Sequence, residues 1–433
     1  MKREIGLQNV KGTYDYLPEE QRIRNYINDT LKEIFEKYGF KPLETPILCY
    51  YDFLAGKYDE NNDLLNEIYK LSDRGQRKLG LRYDLTAPFA KCIALNKDLK
   101  MPFKRYEIGK VFRDGPVKTG RDREFIQCDV DVVGIGGQMI EAELLSLFIE
   151  GYNKLGIDVF VKYNSRNLMA GLILEEGIPE DLISPVITII DKIEKISRVE
   201  LIKEFANLGI DQTKAEAILT NFSLDFETIL NKYRNIDNQL IQKGLNEIKE
   251  LRNYIDALNL QTETKFVAAL ARGQDYYTGN VFEVYAKNGE LNCSLGGGGR
   301  YDNMITDFMQ DGNLYPAVGI SFGLSTIYEI LKKRSEFSDR SFVDIYIIPL
   351  NTEKESLLLA DKLRKLNYRV DLEMNSRKLK KSFDFANKEK IPYVIVLGED
   401  EIKENIIKIK NMQTGVETKI PNDQLSEIAK IID

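Results

Sequence analysis

The chain contains no histidine and no tryptophan among its 433 residues. Ordinary usage would place about ten histidines in a chain of this length. Their absence excludes a Ser-His-Asp triad, a His-activated cysteine and every His-ligated metal centre. Any catalysis must therefore rest on carboxylates, Arg, Lys, Tyr, backbone dipoles or a bound cation. The four cysteines, Cys49, Cys92, Cys128 and Cys293, lie far apart with no Cys-x-x-Cys pair. Neither a disulfide framework nor a zinc cluster is expected, and reduced thiols point to a cytoplasmic protein. No run of eighteen apolar residues occurs, so no membrane-spanning helix is expected, and the opening Met-Lys-Arg-Glu-Ile-Gly-Leu lacks the apolar core of a signal peptide. Basic excess is also missing. Net charge is −7, against the globally basic character of many nucleic-acid binders.

What is present is ordinary globular material, 43% hydrophobic and 30% charged, long enough for more than one domain. Apolar residues from Ile23 to Tyr38 recur at helical spacing and stop at Gly39. Pro42 and Pro46 place the following extended segment at an edge or an interface. Residues 79–165 alternate strands and helices, including strands over 104–113 and 123–134 joined by a Gly/Pro loop. Residues 167–260 read as a helical insertion without strand alternation. Strands resume at 265–269 and 279–286, and 317–331 reads as a strand, then glycine, then a helix. Residues 332–340 read as a charged linker, and a β-α-β-α series begins at Val343. The domain boundaries expected are 1–333, with the insertion at about 170–262, and 341–433. The fold class expected is α/β (α+β): a mainly antiparallel sheet flanked by helices, with a C-terminal α/β domain.

One strand carries a chemical signal. Period-two geometry puts Phe125, Gln127, Asp129 and Asp131 on one face and Ile126, Cys128, Val130 and Val132 on the other. The second is a core face. The first is amide and acid beside an aromatic ring. From Lys104 to Glu124 seven basic side chains stand against four acidic ones, a local +3 in an acidic chain. Arginines around a glycine-bearing loop suit phosphate oxygens. Together these features suggest a ligand with a polyphosphate at one end and a cationic or polar group at the other. The run Gly296–Gly299 permits a sharp turn or a close backbone approach. It is not a P-loop, and it makes only a weak dinucleotide-binding fingerprint. The cluster Arg377, Lys378, Lys380 and Lys381 reads as a solvated helix face, with RNA contact as the alternative.

These residues resemble the class II aminoacyl-tRNA synthetases, and within them the histidyl-tRNA synthetase family. Lys11–Pro18 is similar to the family's N-terminal segment, and Pro46 stands where motif 1 places its interface proline. Leu81–Pro88 resembles the substrate strand, and Phe112-Arg-Asp with Arg121–Phe125 resembles motif 2. Arg272–Tyr277 and Gly298–Asp302 resemble the two histidine-specific signatures. The C-terminal segment looks like the anticodon-binding domain.

The resemblance implies ligation of L-histidine to tRNA(His) with ATP as substrate, Mg²⁺ on the phosphates, no protein-held metal and a cytoplasmic homodimer. It implies that Asp84, Thr86 and Gln127 hold the ammonium group, and that Asp131, Tyr276, Tyr277 and Tyr301 bind the rest of the amino acid. Arg113, Arg121 and Phe125 would bind ATP. Arg272, with Arg113, would be catalytic, between substrate carboxylate and α-phosphate. The chain departs from the family at several places. Ser325 and Thr326 replace the motif 3 Glu-Arg, removing a cation–π contact worth ~0.5–2 kcal/mol. Gly115 replaces an acid, Gln274 a leucine, and Asp131 is a methylene shorter than glutamate. A histidine-sensing paralogue, similar to the ATP phosphoribosyltransferase regulatory subunit, is the alternative these departures suggest. A ligase free of its own substrate residue would be translated without stalling under histidine starvation. Compositional drift accounts for the missing residue equally well.

Overall fold

A computed structural model describes residues 6–56, 63–118, 120–272, 276–334 and 341–432. Gln274 and most of the expected linker (335–340) lie outside these residues. The chain forms two compact units, 1–333 and 334–433.

Unit one begins with α1 (Pro18–Lys37), β1 (Lys41–Pro42), β2 (Leu48–Tyr50), α2 (Tyr51–Ala55), β3 (Lys70–Ser72), β4 (Lys78–Leu81) and α3 (Thr86–Leu95). The long hairpin β5 (Phe103–Phe112) and β6 (Glu124–Val133), then α4 (Met139–Lys154) and β7 (Val159–Ser165), follow. Six α-helices, from α5 (Arg166–Glu175) to α10 (Gln239–Ala257), precede β8 (Thr264–Phe266), β9 (Asn280–Ala286) and β10 (Gly296–Arg300). The unit closes with α11 (Asp302–Met309), β11 (Ala317–Gly323) and α12 (Leu324–Leu331). An eight-stranded sheet runs in the order β1-β5-β6-β11-β10-β9-β7-β8, and only its end pairs, β1–β5 and β7–β8, are parallel. A small sheet β2-β4-β3 lies apart.

Local chemistry explains the framing helices. Pro18 fixes the first turn of α1, and the Glu20 carboxylate accepts the Leu17 N–H at 3.1 Å. The buried stripe Ile27, Leu31, Ile34 and Phe35 then faces the sheet. Phe322 of β11 is the hub of that layer, with Phe148 at 4.7 Å edge-on and Tyr152 and Phe35 at 5.0 and 5.6 Å. Full burial of such side chains contributes about 1.5–3 kcal/mol each. Helices thus cover one face of β6 and β11 and leave the other for a pocket.

The glycine run forms an interior strand, β10, rather than a turn. Its backbone pairs with β9 on one side and β11 on the other.

Unit two is a five-stranded sheet, β13 (Val370–Leu372), β12 (Ile345–Pro349), β14 (Tyr393–Leu397), β15 (Ile406–Asn411) and β16 (Glu417–Pro421) in spatial order. The first three are mutually parallel and the last two antiparallel. Helices α13 (Glu353–Lys365) and α14 (Leu379–Lys388) help bury its two faces, through Leu359 and Leu363 for one and Ala386 for the other. The chain ends in a 3₁₀ turn, Leu425–Lys430, where an α-helix over 423–432 is expected from the sequence. No helix among the described residues is long and apolar enough to cross a membrane.

Candidate active site

The uncovered face of β6 opens into a cavity of about 250 Å³. Phe125, Gln127, Asp129 and Asp131 line it from β6, Asp84 and Thr86 from the start of α3, and Tyr276, Tyr277 and Tyr301 from the segments flanking β9 and β10. Arg113 and Arg272 also line it, whereas Arg121 lies beside it in an adjoining cavity with Arg113 and Phe125.

Glycine makes this cavity possible. Gly319 pairs with Asp131, and a Cβ there would overlap the Asp131 carboxylate. A Cβ on Gly297 would stand 2.5 Å from the Arg272 guanidinium, and one on Gly299 2.8 Å from the Tyr277 ring. The floor is therefore bare backbone against which Arg272 and Tyr277 pack closely.

At one end the site is rich in acceptors. Asp84 Oδ1 accepts the Ala87 N–H at 3.0 Å, while Oδ2 is buried without a hydrogen bond. Gln127 Nε2 donates to Ser321 Oγ at 3.1 Å, which leaves its Oε1 unpaired. Asp129, absent from the expected site, lies on the same face opposite Ser321. Burial pushes its carboxyl up to about 8, with Asp131 and Asp84 adding to the rise against the nearby Arg105 cation. Burial also raises Asp131, opposed by Arg105 and by the Tyr301 hydroxyl, which donates to Asp131 Oδ1. Beneath them Arg105 is fully buried, 2.7 Å from Asp131 Oδ2 and 3.7 Å from Glu107, with its guanidinium 4.4 Å from the Phe89 ring centre. Arg82 pairs with Glu107 at 2.8 Å, so among the described residues Arg105 is the one cation left to the two acids Asp129 and Asp131. Such an end suits a ligand that brings a positive charge.

The other end is cationic and aromatic. Arg113 donates to the Tyr83 carbonyl at 3.1 Å, and its guanidinium is 5.1 Å from the Phe125 ring centre. Arg272 Nη1 donates to Glu283 Oε1 at 3.2 Å, and Glu283 Oε2 accepts the Tyr285 hydroxyl at 2.7 Å. Burial disfavours the Arg272 charge, but Tyr277 and Glu283 hold it charged, with its pKa above the ordinary arginine value. Tyr276 and Tyr277 pack at 4.8 Å, and Tyr276 meets Tyr301 edge-on at 6.0 Å. Thr326 is buried, donating to the Gly323 carbonyl at 2.8 Å, and a Cβ on Gly120 of the motif 2 loop would touch its methyl at 2.9 Å. Among the described residues no group of three or more Cys, Asp or Glu side chains is disposed to hold a metal ion.

Sequence reasoning placed Asp129 on the polar face of β6 but assigned it no role, and it missed Glu283. The alternation of β6 already aimed Asp129 at its neighbours' side. Glu283 gave no such signal, because its meaning depends on where Arg272 falls.

This sheet and two-ended pocket define a class II aminoacyl-tRNA synthetase catalytic unit. The crystal structure of histidyl-tRNA synthetase from Nostoc sp. PCC 7120 superposes with a TM-score of 0.83 at 26% identity, over 99% of this chain and 100% of that one. Residues 12–327 match the family described as Histidyl-tRNA synthetase, and 344–431 match the Anticodon binding domain. Histidine–tRNA ligase 1 of Bacillus cereus is 47% identical over 422 residues, covering 97% of this chain and 99% of its own. Histidine–tRNA ligase of Clostridium tetani is 34% identical over 446 residues, covering 100% and 99%. The chain belongs to the histidyl-tRNA synthetase family.

Proposed function

We propose that this protein ligates L-histidine to tRNA(His) in two steps, through histidyl-adenylate. The observation that carries the reading is the two-ended pocket, with unpaired acceptors on Asp84 and Gln127 at one end and Arg113 and Arg272 at the other. The substrate ammonium group completes Asp84 Oδ2 and Gln127 Oε1, with Thr86 beside them. The imidazole lies toward Asp131, Tyr276, Tyr277 and Tyr301. A neutral imidazole offers one N–H and one acceptor nitrogen, which a carboxylate and a phenol satisfy together. A side chain lacking those groups would leave buried polar atoms unpaired, which is a strong basis for rejection.

ATP lies along Phe125, Arg113 and Arg121. A carboxylate oxygen of histidine attacks the α-phosphorus in line. The new bond is an acyl–phosphate anhydride, and the bond broken releases pyrophosphate. The carboxylate is already an anion, so this step needs no base. Arg272 and Arg113 stabilise charge on the α-phosphate oxygens. In the second step a hydroxyl of the tRNA 3′-terminal ribose attacks the acyl carbon, AMP leaves with the bonding electrons, and the hydroxyl proton passes to the phosphate or to water. Mg²⁺ is expected on the ATP phosphates, as part of the nucleotide substrate.

The partner surfaces follow. The C-terminal unit takes the tRNA anticodon, and the region around Pro46 forms a homodimer interface. Exposed Leu48, Tyr50 and Leu71 on the small sheet support the latter. Widely spaced cysteines outside any disulfide suit the cytoplasm.

Pyrophosphate exchange with each of the twenty amino acids tests the reading. Exchange dependent on histidine alone is expected. Histidine binding without any exchange would instead favour the sensor, for which the loss of the motif 3 arginine at Thr326 is the supporting feature.

A further inference from the structure

Beside the main pocket lies a smaller cavity of about 110 Å³, lined by Glu67, Gly115 and Arg121 and sharing Arg113, Gly120 and Phe125 with the larger one. Glu67 ends the short 3₁₀ turn Asp63–Glu67 ahead of β3. Its backbone carbonyl accepts the Asp114 N–H at 2.8 Å, which ties that turn to the loop between β5 and β6. The side chain reaches into the cavity because residue 115 has none. A Cβ there would stand 2.9 Å from Glu67 Oε1.

The carboxylate is only half satisfied. Oε1 lies 3.7 Å from Arg121, a side chain that is itself 53% exposed. Oε2 is buried and accepts no hydrogen bond. A buried carboxylate oxygen of this kind calls for an N–H or O–H donor. Phe125 lines both cavities, together with Arg113 and Gly120, so a flat group stacked on that ring can present its edge here.

We propose that Glu67 reads the 6-amino group of the nucleotide base and so selects ATP over 6-oxo purine triphosphates. This rests on the reading that the pocket takes ATP. A 6-amino purine presents N–H donors at this edge. A 6-oxo purine presents an acceptor, which a carboxylate repels. A 6-unsubstituted purine presents neither and leaves Oε2 unpaired. Glu67 is thus a specificity-determining residue from outside the loop that binds the phosphates, and Gly115 is the opening that admits it.

The test is histidine-dependent pyrophosphate exchange with ATP, with ITP and with the 6-unsubstituted purine riboside triphosphate. The wild-type protein should prefer ATP over both analogues by roughly a hundredfold or more in kcat/KM. Glu67→Gln keeps the size and offers either an acceptor or a donor. It should lower kcat/KM for ATP about tenfold and bring the ATP/ITP ratio down by a larger factor. A residue that merely held Arg121 or the loop in place would depress both nucleotides alike and leave that ratio unchanged, and an unchanged ratio overturns the assignment. If the variant fails to fold, calorimetric binding of the three nucleotides to the wild-type protein decides. Equal affinities for ATP and the 6-unsubstituted analogue would overturn it. A wild-type protein with no exchange on any nucleotide overturns the ATP reading as well, and the two failures are thereby distinguished.

Discussion

Asp129 and Glu283 each do something that a side-chain inventory would not reveal. An unfolded aspartate ionises near pH 4, whereas Asp129 in the fold holds its proton to about 8. Between those values the folded chain keeps a proton that the unfolded chain has released. This contribution is therefore favourable in acid and is lost as pH rises to about 8. Asp129→Asn should flatten the decline of Tm between about pH 5 and 8, while Glu141, raised to about 7 by burial, keeps some slope. An unaltered Tm–pH curve for the variant would contradict this. Glu283 is a positioning residue, holding Arg272 while Tyr285 holds it in turn. Glu283→Gln should lower kcat for adenylate formation by about 10–100-fold with a much smaller change in the KM for histidine. Pyrophosphate exchange at saturating and limiting histidine separates the two. A loss confined to KM would show that Glu283 only shapes binding.

Among the elements, β10 is the most exacting. A Cβ on Gly298 would overlap the Gly319 carbonyl of the neighbouring strand. Gly298→Ala should destabilise the catalytic unit by about 3 kcal/mol, at the upper end for overpacking, as a lowered midpoint in denaturant titration. A variant as stable as the parent would mean that β10 and β11 part more readily than their pairing suggests. The same strand shows what a sequence can and cannot disclose. β5 and β6 were legible almost to their ends because alternation at period two survives in the residue order. β10 was not, because glycine has no strand preference and its extended form comes from β9 and β11 on either side. In unit two, Lys380 and Lys381 do lie on a helix, α14, as their reading as a solvated helix face expects, while its other side packs through Ala386, Phe383 and Phe385. The pocket followed the same rule. Gln127 and Asp131 could be read from a single strand. Glu67 could not, because its role comes from a turn that meets the loop at Gly115 some fifty residues later.

The whole molecule is two bodies of unequal size, and each has a sheet with its own core. A fragment spanning 341–433 is expected to unfold cooperatively by itself, as monitored by circular dichroism during heating. The complementary 1–333 fragment should still exchange pyrophosphate yet charge tRNA at least tenfold more slowly. Equal charging by the truncated and full chains would remove the smaller body from tRNA recognition. The exposed apolar row on the small sheet makes a further statement at this scale. If the proposed homodimer forms through this row, the parent should sediment as a dimer and Leu48→Glu together with Tyr50→Glu as a monomer in sedimentation velocity. Unchanged sedimentation would place the interface elsewhere.

The glycine floor has an evolutionary corollary. A surface made of peptide backbone offers no side chain for mutation to exchange, and every substitution there adds bulk where none fits. Descendants of this chain that accept a different small molecule must acquire that taste by altering the walls, β6 and the tyrosine-bearing segments. Variation that changes what the cavity accepts is therefore expected at those sides rather than at its base.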